Sequence, residues 1–303
     1  MIAPPFTANV EFVTGCNFKC SFCPVAIEPK FQTVSEVMTI ETATKTANGL
    51  RALNPKLRVE IGVRGEPTLA ENLLELLGVF RRRIPACQMT LFTNGSMLWK
   101  RPDLAIEMLD AGLNFLCIDC YNGSYERFKK LMTPVVDSTV EMLDFDDLVP
   151  HRLRPGGSKF RKILLVPDIV EQDVAVRQLH VMAMNSDRDE IERLTGKSLP
   201  ALGDFPLKKR CVRPFREITL HANGDVALCC QDWGAEKLYA NVHDTSLYSI
   251  WYGENHRDTL RRLYAKDRGF APCSHCDYFG GWRHGHLEDP DAALSCFQQG
   301  NPG

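Results

Sequence analysis

The chain has 303 residues, 36 of them basic and 38 acidic, with a formal net charge of −2 and a 44% apolar composition. That length suits one large α/β domain followed by a small one, with enough apolar material for a sizeable core. The charge balance gives no reason to expect a nucleic acid or a membrane surface as partner. No run of 18 apolar residues is present, so no transmembrane helix is expected. The opening MIAPPFTANVEFV lacks the basic-then-apolar pattern of a signal peptide, so the expected compartment is the reducing cytoplasm.

Strand-like and helix-like stretches alternate through the first two-thirds. NVEFVTG (9–15) reads as a strand closed by a Gly turn, and TIETATKTANGLRAL (39–53) as a helix with Thr39 at its N-cap. LRVEIGV (57–63) is a strand. TLAENLLELLGVFRRR (68–83) is a helix, with Thr68 and Glu71 as a capping box and an apolar stripe of Leu73, Leu76, Leu77 and Phe80. QMTLFTNG (88–95), NFLCIDC (114–120) and KFRKILLVPDI (159–169) are strands. DLAIEMLDAG (103–112), SYERFKKLM (124–132) and EQDVAVRQLHVMAMN (171–185) are helices, and a further strand is expected near 200–208. Repeated β–α units predict parallel strands with helices outside, as an open sheet or a barrel. Beyond that, FREITLHANGDVALCC (215–230) is two alternating runs around Asn223-Gly224, which predicts a hairpin. The expected units are a core over 1–206, a small cysteine-rich unit over 207–286 and a mobile tail over 287–303.

The chain carries 12 cysteines, and clustered cysteines in a reducing compartment point to metal or redox chemistry more than to bridges. Cys16, Cys20 and Cys23 follow the first strand in the spacing C-x3-C-x2-C. Three thiolates on one tight loop can hold three irons of a cubane and leave the fourth open. A zinc finger or a ferredoxin-type cluster normally takes four protein ligands. Near the C-terminus, the predicted hairpin can bring Cys211 to Cys229, and the C-x2-C pair Cys273 and Cys276 can close on them. Four thiolates complete a site for zinc or for an iron–sulfur cluster. Cys230, next to Cys229 on a strand, is expected to point the other way, although the two could exchange roles. Cys296, His284 and His286 could be ligands but are read as a mobile, histidine-bearing C-terminal stretch, and Cys87 as an ordinary loop thiol.

With these motifs the chain resembles the radical S-adenosylmethionine (SAM) superfamily over residues 9 to about 185. The resemblance rests on the C-x3-C-x2-C loop, on Phe22 just before the third cysteine, on VRGEPTL after the second strand and on FTNG after the third. VRGEPTL matches the family's GGEP at Gly65, Glu66 and Pro67, with Arg64 in place of the first Gly. The resemblance implies a partial (β/α)6 barrel and a SAM-binding 4Fe–4S cluster on Cys16, Cys20 and Cys23. It implies contacts to the cofactor from Phe22, Gly65, Glu66, Pro67 and Asn94, and more weakly from Asp119. Its chemistry is reductive cleavage of SAM to a 5′-deoxyadenosyl radical that abstracts a hydrogen atom from a substrate. The last third resembles the SPASM/Twitch extension of these enzymes. The fuller form of that extension has a further pair of cysteines where Trp282 and His286 stand here. The resemblance therefore implies one auxiliary 4Fe–4S cluster on Cys211, Cys229, Cys273 and Cys276.

Family members act on small molecules or on peptides. The short stretch before the first strand favours a small molecule of sugar or aminocyclitol type, dehydrogenated or epimerised. Modification of a ribosomally made peptide is the alternative, and a non-catalytic iron–sulfur or zinc protein a second one. An electron donor such as flavodoxin or ferredoxin is the expected protein partner. An epimerase also needs a hydrogen-atom donor, for which Cys117, Cys120 and Cys230 are candidates. On the strand 114–120, Cys117 shares a face with Asp119 and Cys120 shares the other with Ile118, so only one of the two cysteines can look into a barrel.

Overall fold

The computed structural model describes residues 2–20, 23, 31–144, 161–166 and 205–276. Four strands set up the sheet: β1 (Thr7–Val10), β4 (Arg58–Ile61), β5 (Gln88–Thr93) and β6 (Phe115–Asp119), each parallel to the next. A small two-stranded ribbon, β2 (Val13–Thr14) with β3 (Glu36–Val37), follows β1. Helices α1 (Ile40–Leu53), α2 (Leu73–Arg83), α3 (Leu104–Asp110) and α4 (Tyr125–Met132) follow the strands in turn. The parallel array continues through β8 (Lys162–Val166) to β7 (Glu141–Asp144) at the edge. Six parallel strands with helices outside are the expected partial β/α barrel.

The elements arise from the predicted local signals. Thr39 caps α1, its hydroxyl accepting from the Thr42 amide at 3.1 Å. In α2 the residues Leu73, Leu76, Leu77, Val79 and Phe80 are buried, and the last turn carries Arg81, Arg82 and Arg83 against the negative helix end. The strand expected near 200–208 falls mostly outside the described residues, 205–208 being irregular; no sequence signal marks β7, whose short mixed stretch EMLD has little periodicity. One expectation is corrected. Thr68 and Glu71 form no capping box: residues Pro67–Leu69 are a 3-10 turn, and α2 starts at Leu73 after Asn72. The physical reason is that the Thr68 hydroxyl and amide both donate to Glu66. The predicted helix at 171–185 and the tail after 287 lie outside the described residues.

The hairpin is present as β9 (Glu217–Leu220) and β10 (Asp225–Ala227), turning at Asn223-Gly224, with β11 (Leu238–Asn241) on its outer side. It does not stand apart from the core. β9 pairs in parallel with β1, from Thr7↔Glu217 to Val10↔Leu220, so one nine-stranded sheet runs through both parts of the chain. A short helix α5 (Arg213–Arg216) leads into β9, and α6 (Leu247–Trp251) and α7 (Glu254–Tyr264) follow β11.

Strand alternation divides the sheet into two faces. Ala8, Val10, Val59, Ile61, Met89, Leu91, Leu116, Ile118, Ile163 and Leu165 pack with the helices in the main core. The opposite, concave face is polar on the β9–β1–β4–β5 side. One register row there is Thr219, Asn9, Glu60, Thr90, Phe115 and Lys162. On the β6–β8 side this face is apolar, with Phe115, Cys117, Leu164 and Val166 in a separate small cluster. Leu91→Ala removes a fully buried side chain from the helix-facing core and is expected to cost about 2–5 kcal/mol of unfolding free energy. Val34→Ala, at a position 41% exposed, should shift it by less than about 0.5 kcal/mol. Urea denaturation of the two variants checks that Leu91 lies in the packed core, with the exposed loop position as control.

Candidate active site and metal centres

The first cysteine loop begins where β2 ends, at a backbone close contact that only glycines allow. Gly15 has φ +108°, and a Cβ there would fall 2.0 Å from the Thr33 carbonyl oxygen. Gly65 lies opposite in an isolated parallel bridge, and its Cβ would fall 2.2 Å from the Val13 carbonyl oxygen. The Gly15 amide donates to the Arg64 carbonyl and the Glu66 amide to the Gly15 carbonyl, both at 3.0 Å. The cysteine loop and the Gly65-Glu66-Pro67 turn are thus laced together at the C-terminal ends of β1 and β4. Val63 just before has φ +96°, an unusual conformation for a β-branched residue that costs on the order of 1–3 kcal/mol.

Glu66 is buried and organises the rim. One carboxylate oxygen accepts from the Thr68 amide at 3.0 Å, the Thr68 hydroxyl and the Thr93 hydroxyl at 2.6 Å; the other accepts from the Asn94 amide at 2.7 Å. Burial pushes its carboxyl above the usual range, and these four donors oppose that shift. Asn94 then reaches the cysteine loop: its Nδ2 lies 3.5 Å from Cys16 Sγ and donates to Asn17 Oδ1 at 3.0 Å. Asn17 donates in turn to the Ser96 hydroxyl at 2.8 Å. Cys16 also receives the Phe18 amide at 3.3 Å, and the Cys23 amide donates to the Cys20 carbonyl at 2.9 Å. Burial pushes the Cys16 thiol above its usual range, and the donors from Phe18 and Asn94 oppose that shift. Tyr121, after β6, donates to Asp119 at 3.3 Å, and burial with the neighbouring Asp119, Cys20 and Cys23 raises its hydroxyl well above the usual range. Cys16, Cys20, Cys23, Glu66, Asn94 and Asp119 therefore gather at one end of the sheet, while Phe22 lies outside the described residues. Sequence reasoning passed over Asn17, Ser96 and Tyr121; the position of Asn17 and Tyr121 directly beside predicted site residues was the available signal.

The second set forms beneath the hairpin. Cys211, Cys229 and Cys273 share one buried cluster with Val212, Phe215, Leu228, Leu260 and Leu263. Burial first, then the neighbouring thiols Cys230, Cys273, Cys211 and Cys276, pushes the Cys229 thiol well up; Cys273 is raised by burial and by Cys211 and Cys276. Four mutually repelling thiolates in an apolar pocket need cationic charge among them, which iron or zinc supplies. Among the described residues no three His, Cys, Asp or Glu side chains are drawn together tightly enough to hold one metal ion. A cubane asks for a wider set, since each thiolate takes its own iron. Cys229 and Cys230 follow β10 rather than lie on it, so strand alternation does not separate them; Cys230 is near enough to Cys229 to raise it, while Arg213 Nη1 donates to the Cys230 sulfur at 3.0 Å and to Glu217 at 2.9 Å. Cys117 faces the concave side, whereas Cys120 packs in the helix-side core with its sulfur 3.5 Å from the Ile118 carbonyl oxygen. Cys87 is buried in that core, and burial pushes its thiol up to about 11. Cys296, His284 and His286 lie outside the described residues.

A β/α sheet with a three-cysteine loop and a Gly-Glu-Pro turn at its C-terminal rim, followed by a four-thiol unit, is the framework of a SAM-dependent iron–sulfur enzyme. The radical SAM superfamily model matches residues 10–144, and the model of the SPASM iron–sulfur cluster-binding domain matches residues 211–277. The chain belongs to the radical SAM superfamily and carries a C-terminal SPASM domain. It is an enzyme of that superfamily, with a SAM-binding 4Fe–4S cluster, an auxiliary 4Fe–4S cluster and SAM as its cofactors. It is 20% identical to the S-adenosyl-L-methionine-dependent 2-deoxy-scyllo-inosamine dehydrogenase of Niallia circulans, over 89% of this chain and 91% of that protein. A UPF0026 protein of Helicobacter pylori is 30% identical over 46% of this chain, and that match spans about half of the relative's length (46%). Among solved structures, BtrN in complex with AdoMet and 2-DOIA superposes with a TM-score of 0.64 at 18% identity, covering 92% of this chain and 95% of that one. Among the described residues no helix is long and apolar enough to cross a membrane.

Glu66→Gln removes one of two acceptor oxygens that four donors share. It is expected to lower unfolding free energy by about 1–3 kcal/mol, read from the urea midpoint of the metal-free chain. An unchanged midpoint would show that the carboxylate does not organise the rim.

Proposed function

We propose that the chain dehydrogenates a small polar molecule of the sugar or aminocyclitol type. The observation that carries this reading is the burial of Cys211, Cys229 and Cys273 in one cluster, with Cys276 close enough to perturb Cys229 and Cys273. A cluster held by four thiolates has no open iron for a substrate and is suited to accept an electron, which dehydrogenation requires. Similarity along nearly the whole chain to a SAM-dependent dehydrogenase supports the same reading. The core over 1–206 carries the first site and the unit over 207–286 the second.

Cys16, Cys20 and Cys23 would hold the SAM-binding cluster, and Cys211, Cys229, Cys273 and Cys276 the auxiliary one. When bound, the first cluster and SAM supply the 5′-deoxyadenosyl radical that takes the substrate hydrogen. Gly65, Glu66 and Pro67 shape the turn beside that loop, with Phe22, Asn94 and Asp119 as further contacts to the cofactor. Asn94 serves both sides, holding Glu66 by its amide and Cys16 by its side chain. The concave face offers Asn9, Glu60, Thr90 and Lys162 in one row, suited to hydroxyl and amino groups. A flavodoxin or ferredoxin in the cytoplasm would supply reducing electrons.

Epimerisation is the second reading, and the inward position of Cys117 favours it. A thiol there can return a hydrogen atom to a substrate radical. Cys120, on the helix side, and Cys230, engaged by Arg213, are the less suitable candidates.

Anaerobically reconstituted protein is expected to hold about eight irons, four per cubane. Replacing Cys16, Cys20 and Cys23 together by Ala should halve that iron and abolish SAM cleavage. Stoichiometric zinc in the second site would refute the auxiliary cluster there. Turnover of a candidate aminocyclitol in deuterated water separates the two reactions. An oxidised product without carbon-bound deuterium marks dehydrogenation. An inverted, labelled carbon that Cys117→Ala loses marks epimerisation.

A further inference from the structure

Arg64 stands where the superfamily motif has its first glycine, and the structure gives that replacement a partner. Its guanidinium grips Glu11 through two hydrogen bonds, Nε to Oε2 at 2.7 Å and Nη2 to Oε1 at 3.0 Å. Both residues are buried, Glu11 completely and Arg64 to 7% exposure. Glu11 sits just past the end of β1 and has two further donors: the Thr14 hydroxyl at 2.6 Å and the Ala222 amide at 3.2 Å. Ala222 belongs to the hairpin turn of the SPASM domain. Arg64 Nη1 also lies 3.5 Å from the carbonyl oxygen of Trp233, on the segment that follows Cys229. The Arg64 main chain faces the other way functionally, its carbonyl accepting the Gly15 amide beside Cys16. One residue thus touches the cysteine loop by its backbone, while its side chain reaches Trp233 in the SPASM domain directly and the hairpin turn through Glu11.

The surroundings make the pair hard to replace. His221, next to Glu11 along the sheet, is held neutral by burial, which pushes it down to about 4, and its Nε2 has no hydrogen-bond partner among the described residues. It therefore offers Glu11 no cationic substitute at neutral pH. A buried carboxylate deprived of its cation is left uncompensated, which weakens the setting in which Glu11 accepts from Thr14 and from Ala222 of the hairpin turn.

We propose that Arg64 is a positioning residue that registers the cysteine loop and the Gly65-Glu66-Pro67 turn against the SPASM hairpin. The proposal rests on the assignment of Cys16, Cys20 and Cys23 to one cluster and of Cys229 to the other. Arg64→Gly restores the motif residue but removes the brace. Arg64→Lys keeps the charge and loses the bidentate fork.

The test uses full-length protein, reconstituted anaerobically with iron and sulfide. Amide hydrogen exchange is read over peptides covering 11–16, 62–67 and 217–233, with α7 as internal reference. Arg64→Gly is expected to speed exchange by about tenfold or more in both 11–16 and 217–233, leaving α7 unchanged, with Arg64→Lys in between. At unchanged iron content, the microwave power saturation of the reduced SAM-binding cluster should also shift in Arg64→Gly, because it reports the distance to the second cluster. Exchange that changes only over 62–67, or wild-type exchange over 217–233, overturns the proposal. Glu11→Gln carries the same comparison if Arg64→Gly does not fold. If the wild type itself holds only one cluster, the assignment of the second thiol set fails. The exchange comparison then still decides whether the brace exists.

Discussion

The close approach of two backbones, at Gly15 and Gly65, is the constraint on which the rest of the rim depends. Strands β1 and β4 are neighbours in the sheet, and the loops that leave them cannot diverge while the Gly15 amide is bonded to Arg64 and the Glu66 amide to Gly15. Side chains at either glycine would collide with carbonyl oxygens. The thiols of the first loop are therefore delivered to the same place as Glu66 and Asn94, whatever the rest of the loop does. A site that needs several groups within a few ångströms is best built in this way, on strand ends held by main-chain bonds.

Two buried carboxylates then divide the work. Glu66 is surrounded by neutral donors alone, two amides and two hydroxyls, and ties β4 to β5. Glu11 is neutralised by a guanidinium and ties β1 and the turn after β4 to the hairpin of the SPASM domain. The difference follows from what each must span. Glu66 needs only short reaches along neighbouring strand ends, met by backbone amides and threonines, whereas Glu11, which takes the hairpin amide of Ala222, is joined to the turn after β4 by the length of an arginine. The same hairpin is locked edge-on through the β1–β9 pairing, so the second thiol set is built directly onto the sheet that carries the first.

Much of this was legible in the sequence because the signals are local. The capped helix at Thr39, the apolar stripe of α2, the Asn223-Gly224 turn and the three-cysteine spacing all depend on residues within a few positions of one another. The family resemblance further anticipated the gathering of Glu66 and Asn94 near Cys16. What escaped was long-range or too short to be periodic. β7 is four residues of mixed character, and its place at the sheet edge is decided by pairing with β8. Thr68 has the composition of a helix cap, yet Glu66 two residues earlier claims it. The Glu11–Arg64 pair is 53 residues apart and Glu11–Ala222 is 211 apart, so no spacing rule reveals them. Alternation on β6 left open which of Cys117 and Cys120 looks inward; the helices packed on Ile118 decide it.

The central claim is that the rim of this sheet binds SAM at a redox-active cluster. The most direct measurement is anaerobic incubation of the reconstituted full-length protein with SAM and dithionite, followed by chromatographic quantification of 5′-deoxyadenosine and methionine. Their formation in equal amounts, dependent on the reductant, is the predicted result. SAM recovered intact from protein whose first cluster is fully loaded and reduced would contradict the account.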